Sequence, residues 1–190
     1  MRRTRIIACL AGSAALIAGL APSAFAATSS VTQTLTAGAR SASMVDLTLP
    51  SLAYSHAERT PNGSMTLTAD DSTGSNAGWN VTIQSSAFVW TAGGEGASTG
   101  TNIPAANFAL TSAAVPTVTA GQAVNVTATF GPEVGVSSGT LDAARKVIQA
   151  GPTYGNGTYT QALGVSLLIP AQSAAGTYTG TLTTTIIAAP

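Results

Sequence analysis

The fold class is decided by stretches such as Ser64-Met65-Thr66-Leu67-Thr68-Ala69, in which apolar and polar side chains alternate. Successive side chains of a β-strand point to opposite faces of its sheet, so this period of two places Met65, Leu67 and Ala69 on one face. Threonine and other β-branched residues fit a pleated surface that is buried on one side. The stretch therefore predicts a half-buried β-strand.

The same alternation recurs along the chain, with Gly, Pro, Asn and Ser between the runs. It predicts further strands at residues 44–49, 79–83, 123–130, 159–169 and 178–186. Many short strands separated by turn residues are typical of a sandwich or a barrel, and no strand–helix–strand pattern is found. We therefore expect an all-β fold, in particular an immunoglobulin-like or similar β-sandwich.

Two stretches depart from this alternation. Residues 141–150 contain good helix formers but are too few for a stable isolated helix, and they equally fit a turn leading into a strand at 146–149. Residues 91–101 contain four glycines and predict an exposed loop. A phosphate-binding loop would need a following helix N-terminus and usually a lysine, and this sequence offers neither.

The first 26 residues have the three parts of a secretory signal peptide. Three arginines precede the apolar run 6–20, and Ala24-Phe25-Ala26 then supplies the small residues that signal peptidase accepts. This pattern predicts cleavage between Ala26 and Ala27. The apolar run is shorter than the roughly 20 residues that span a bilayer, so we expect a secreted protein with no membrane span after cleavage.

The predicted mature chain, residues 27–190, has the length of one domain, here a single β-sandwich. It contains no cysteine, because Cys9 lies in the signal, so we expect neither disulfides nor thiol chemistry. Its four basic and seven acidic residues give a net charge of −3. So few cations cannot neutralise a phosphate backbone, and nucleic-acid binding is therefore not expected.

Residues that would support catalysis are sparse. His56 is the only histidine, and its sequence neighbours Ser55 and Glu58 do not by themselves build a catalytic triad. The turn Asp70-Asp71-Ser72-Thr73-Gly74 lacks the spaced acidic ligands of an EF-hand calcium loop, and Asp and Gly are common in turns generally. We therefore expect a protein that is not an enzyme and uses no metal or other cofactor.

The two tryptophans are the candidate ligand-binding residues, because an exposed indole can stack on a sugar or anchor a partner. Trp79 is in phase with Val81 and Ile83, so a place in the core is the simpler interpretation for it. Trp90 follows Phe88 at strand spacing and adjoins the glycine-rich loop, so buried and exposed positions fit it equally well.

Two stretches resemble the WxL domain, a cell-surface module of Gram-positive bacteria. The first, 67–88, contains an acidic turn and then Gly78-Trp79-Asn80-Val81, which resembles the family's first Trp-x-Leu motif with Val for Leu. Ile103-Pro104-Ala105-Ala106 resembles the step that follows, and residues 146–182 resemble the closing hairpin. A second Trp-x-Leu is absent, and Thr184-Thr185-Ile186 stands near where it would fall.

The resemblance implies a β-sandwich that attaches non-covalently to the cell wall, with peptidoglycan as the polymer bound. The expected partner is then a cell-wall polymer or another surface protein, and the expected location is extracellular or wall-associated. An alternative function is a structural or adhesive subunit of a surface assembly that polymerises through β-strand pairing. Residues 31–36 would then add as a strand to the exposed sheet edge of a neighbour.

Overall fold

The structure, a computed structural model, describes residues 29–93, 99–125, 127, 131–135 and 138–188. The chain divides into two units, with the boundary between Leu35 and Thr36. In the first unit, residues 29–35 have no regular secondary structure, and Val31 and Leu35 are 96% and 92% exposed. The predicted cleavage residues Ala24, Ala26 and Ala27 lie outside the described residues.

In its described part, the second unit consists of twelve strands and a short 3-10 turn at Ala105–Asn107. The strands are β1 Arg40–Met44, β2 Asn62–Asp71, β3 Trp79–Ser85, β4 Val89–Thr91, β5 Phe108–Ala113, β6 Thr117–Gly121, β7 Glu133–Val134, β8 Gly139–Thr140, β9 Arg145–Ala150, β10 Gly157–Leu167, β11 Thr177–Thr179 and β12 Leu182–Ala188.

The strands pair antiparallel in three sheets. The first sheet has the order β1-β2-β10-β5-β8, and the second has the order β12-β3-β9-β7. A small sheet consists of β11 and β4 alone. Strand β10 is long enough to pair with β6 at its start and with β5 at its end, and an irregularity in register accompanies each pairing.

The hydrophobic core combines the apolar faces of the first and second sheets in one cluster. Strands β2 and β10 contribute Met65, Leu67, Ala69, Tyr159, Leu163 and Val165, and strands β3 and β9 contribute Trp79, Val81, Ile83, Val147, Ile148 and Ala150. The side-chain amide of Gln161 on β10 donates to the carbonyl of Val147 on β9, which links the two sheets directly. The all-β sandwich predicted from alternation is confirmed.

Three strand predictions agree with the structure. Residues 64–69 lie within β2, residues 79–83 within β3, and residues 159–167 within β10. Ile169, the last residue of the third prediction, forms an isolated bridge with Arg59. Residues 141–150 contain strand β9 and no helix, because Val147, Ile148 and Ala150 are needed in the core.

Two strand predictions are wrong in their bounds. The strand predicted at 44–49 is β1, which ends at Met44, so Val45 is 77% exposed. Leu47 and Leu49 are half-buried without pairing, and their side chains occupy the space that a Cβ on Gly63 would need. This packing explains the apolar alternation that suggested a strand.

The strand predicted at 178–186 is divided between two sheets. β11 joins the small sheet and β12 joins the second sheet. At the break, Ser86 and Thr181 exchange two hydrogen bonds, and a Cβ on Gly180 would approach the Phe88 ring to 3.0 Å. The half-buried residues keep a spacing of two across this break, so the alternation is present although the single strand is not.

Half of the strand predicted at 123–130 lies outside the described residues, and residues 123–125 are not in a strand. Residues 94–98 of the glycine-rich loop also lie outside them. In the part of the chain that the structure describes, no helix has the length and apolar character to cross a bilayer.

Candidate functional site

The acidic turn after β2 is held by bonds within the chain. Asp71 is 1% exposed in its side chain and accepts from Arg40 at 3.1 Å and from the backbone and hydroxyl of Thr73. Asp70 accepts from the hydroxyls of Ser72 and Thr158. These bonds join β1, β2 and β10 at one end of the first sheet, so the turn has a structural role.

His56 lies on an exposed loop, with its ring at the edge of Tyr54 and 5.1 Å between centroids. The neighbouring Ser55 hydroxyl accepts the backbone N–H of Ala57. No hydrogen bond joins Ser55, His56 and Glu58, although all three are described. Among the described residues, no group of three or more His, Cys, Asp or Glu could hold a metal ion.

Trp79 is fully buried in the core. Its indole N–H donates to the Gly155 carbonyl at 2.9 Å, and its ring lies 5.9 Å from that of Tyr159. A Cβ on Gly155 would lie 2.6 Å from the indole nitrogen, so glycine is required there. The structure thus places Trp79 as the core interpretation predicted, and as a contact residue it would have no surface to offer a ligand.

Tyr159 closes the same region of the core. Its hydroxyl donates to the Gln122 carbonyl at 2.7 Å. Burial raises the pKa of Tyr159 above its ordinary value, and the Asp71 carboxylate raises it further. The phenol therefore stays protonated at neutral pH and keeps its hydrogen bond to Gln122.

Trp90 is half-buried on β4 and holds two loops together. Its backbone N–H donates to the Asn102 side-chain oxygen at 3.0 Å, and its indole N–H donates to the Ala175 carbonyl at 3.2 Å. Cβ atoms on Gly100 or Gly176 would collide with the indole ring, so both loops approach it through glycines. We call this arrangement the Trp90 brace.

Between the two loops that the Trp90 brace joins lies a groove of about 290 Å³, here called the polar groove. Its lining residues in the described part of the chain are all uncharged. They are Thr99, Gly100, Thr101, Asn102, Ile103, Pro170, Ala171, Gln172, Ser173 and Ala174. Such a surface offers hydroxyl and amide groups beside small apolar patches, which suits a neutral polar ligand.

Further hydrogen bonds fix the walls of the polar groove. The Tyr178 hydroxyl donates to the Ala174 carbonyl at 2.9 Å, and the Ser173 hydroxyl donates to the Pro170 carbonyl at 2.7 Å. Burial raises the pKa of Tyr178, and a hydrogen bond with Ser173 partly offsets this. The Gln172 N–H donates to the Ser55 carbonyl, with Gln172 in the left-handed region at φ 59°.

Trp90 was a candidate from the sequence, whereas the groove beside it was not predictable. Its two walls, residues 99–103 and 170–174, are about 70 positions apart in the chain. The glycines at 100 and 176 were visible as turn residues, but nothing local showed that both contact one indole.

One comparison with known proteins gave a match. The profile of a protein family described as "WxL domain surface cell wall-binding" matches residues 25–190, which is nearly the whole chain. No curated protein and no solved structure matches the chain significantly.

The residues that carry the Trp-x-Leu resemblance lie side by side in the second sheet. Trp79-Asn80-Val81 opens β3, and Thr184-Thr185-Ile186 lies in β12, with Val81 paired to Ile186. Trp79 and Val81 are fully buried, and Ile186 packs against the core. In this chain, these segments therefore stabilise the sandwich, and a surface for binding has to be sought elsewhere.

Proposed function

Because the chain belongs to the WxL family of surface cell wall-binding domains, we propose that it is a non-enzymatic protein that binds peptidoglycan non-covalently. The observation that carries this proposal is the match of one wall-binding family across the entire folded domain. The protein is thus a cell-surface protein, and peptidoglycan is the wall polymer that we assign to it.

The placement of the polar side chains supports a role in binding without catalysis. General acid–base chemistry needs a titratable group within hydrogen-bond reach of a reacting atom, usually in a cleft. Asp70 and Asp71 are engaged in structural bonds, and His56 lies on an exposed loop. The polar groove is lined by none of these residues.

Export is the first testable part of the proposal. We expect N-terminal sequencing of protein recovered outside the cell to begin at Ala27, because Ala24 and Ala26 occupy the small-residue positions before the cut. Ala26→Leu should block cleavage, whereas Phe25→Leu, which changes only the middle position, should not. Recovery of extracellular protein that begins at Met1 would contradict this prediction.

Wall binding is tested by sedimentation with purified Gram-positive sacculi. We expect the mature protein to sediment with sacculi stripped of teichoic acids and to stay in the supernatant when sacculi are omitted. Heat-unfolded protein is the control, because non-specific adhesion would not need the fold. Wild-type protein that remains entirely in the supernatant with sacculi present would overturn the proposed function.

The alternative, a subunit that polymerises by strand addition, is favoured by one observation. Val31 and Leu35 are almost fully exposed on a segment without secondary structure. An extended apolar segment of this kind can pair with the free edge of a sheet in a second copy. In the same assay, sedimentation without sacculi that is abolished by Val31→Ser with Leu35→Ser would identify self-assembly instead.

A further inference from the structure

We infer that the polar groove binds the sugar units of the wall glycan, and that the peptide stems and anionic wall polymers bind elsewhere or not at all. This inference rests on the proposed function and adds to it the part of the wall that is recognised. It assigns the site to the loops that the Trp90 brace joins, away from the buried Trp79.

The lining of the polar groove combines polar groups with small apolar surface. Amide and hydroxyl groups of Thr99, Thr101, Asn102 and Gln172 are exposed along the groove. The side-chain oxygen of Asn102 is occupied by the Trp90 N–H, which leaves its NH₂ group as a donor. Small apolar surface from Pro170 and Ala171 lies beside these groups. A sugar presents the same combination of hydroxyls, amides and apolar C–H faces.

The charge of the lining separates the possible wall ligands. Anionic wall polymers carry phosphates, and peptide stems carry carboxylates and amines, so each would need charged partners in its site. Among the described residues, none that lines the groove is charged. The backbone of the cationic residue Arg59 pairs with Ile169, which directly precedes Pro170 of the groove. Arg59 itself is not part of the lining. A neutral ligand therefore fits this groove best.

The walls of the polar groove are preorganised. Both walls are held by hydrogen bonds from β4 and β11, through Trp90 to Asn102 and Ala175 and through Tyr178 to Ala174. A site that is already in its bound shape avoids the entropic cost of ordering loops, which matters for a ligand that makes only neutral hydrogen bonds. The groove volume of about 290 Å³ is near the lower end for small-ligand sites, so it suits a short piece of a polymer.

The test uses the folded mature protein and chitotetraose, a neutral β-1,4-linked oligomer of N-acetylglucosamine. We expect saturable changes in the backbone amide signals of residues 99–103 and 170–174 in an NMR titration. Ala171→Leu adds bulk to the exposed lining without removing a hydrogen bond, and it should weaken both chitotetraose and sacculus binding about tenfold or more.

Two matched variants separate the alternatives. Ala188→Leu makes the same change at an exposed alanine at the far end of β12, about 20 Å from Leu182 at the start of that strand. It should leave the affinity for chitotetraose and sacculi unchanged. Arg59→Gln should also leave the affinity for chitotetraose unchanged. If the ligand were anionic, this variant would lower the affinity. A purified teichoic acid and a free stem peptide serve as the competing probes.

Binding to sacculi that persists in Ala171→Leu, or that occurs without chitotetraose binding, overturns the groove assignment while the proposed function stands. Signal changes at 99–103 and 170–174 with the stem peptide or teichoic acid, and none with chitotetraose, overturn the assignment to sugar. Failure of the wild-type protein to sediment with sacculi removes the proposed function, and the inference with it.

Discussion

Replacing Trp79 with alanine is expected to lower the free energy of unfolding by about 3–5 kcal/mol. The side chain is fully buried between the sheets and contacts Tyr159, so its removal leaves a large cavity in addition to the lost apolar burial. It also leaves the buried Gly155 carbonyl without its donor. Small domains have only about 5–15 kcal/mol of stability, so the melting temperature should fall steeply.

Trp79→Phe is the matched variant for this prediction. This variant keeps an aromatic ring in the core but lacks the indole N–H that donates to Gly155. It should therefore lower the free energy of unfolding by clearly less than Trp79→Ala does. Thermal melting and sacculus binding are measured together on both variants. An unchanged melting temperature for Trp79→Ala, combined with lost binding, would show that Trp79 is a contact residue and not part of the core.

Trp90 has a different structural role from Trp79, so thermal melting and sacculus binding should respond differently to its replacement. Trp90 is half-buried, and its hydrogen bonds hold the loops of the polar groove, whereas Trp79 fills the core. The sequence favoured a core position for Trp79 and left buried and exposed positions open for Trp90, and the structure shows that Trp79 supports the sandwich and Trp90 the groove. The difference comes from their hydrogen-bond partners: Trp79 donates to Gly155, whereas Trp90 donates to Asn102 and Ala175.

Strands with one buried face were predictable because their alternation has a direct physical cause. Met65, Leu67 and Ala69 on β2, and Trp79, Val81 and Ile83 on β3, share faces because the period of a strand is two. The same rule gave a wrong strand at 44–49, because Leu47 and Leu49 pack over Gly63 without pairing to another strand. Alternation reports burial on one side, and it does not report a hydrogen-bonded neighbour.

The polar groove was not predictable because it depends on contacts between distant parts of the chain. Gly100 and Gly176 contact the same indole, and Asn102 bonds β4 across a loop whose course local sequence does not determine. The break between β11 and β12 was missed for a related reason. The alternation keeps its phase through Gly180 and Thr181, so only the bonds to Ser86 mark the change of sheet.

A chain that ends at Ala175 is expected to fail to fold. It lacks β11, the partner of β4, and β12, which pairs with β3 over seven residues from Leu182 to Ala188. Without β12, the backbone groups along one edge of β3 lose their partners, although Trp79, Val81 and Ile83 of this strand are fully buried. The apolar side chains of Leu182 and Ile186, which pack against the core, are lost as well.

We expect this truncated chain to be insoluble or rapidly degraded, and any soluble fraction to melt without a cooperative transition. A chain that ends at Ala188 is the control, because it keeps the whole of β12 and removes only two residues. The comparison separates the loss of the strand from any effect of a new C-terminus. A cooperative melt of the shorter chain, close to that of the full mature protein, would show that β12 is peripheral to the sheet. The pairing of Val81 with Ile186 would then contribute little to the fold.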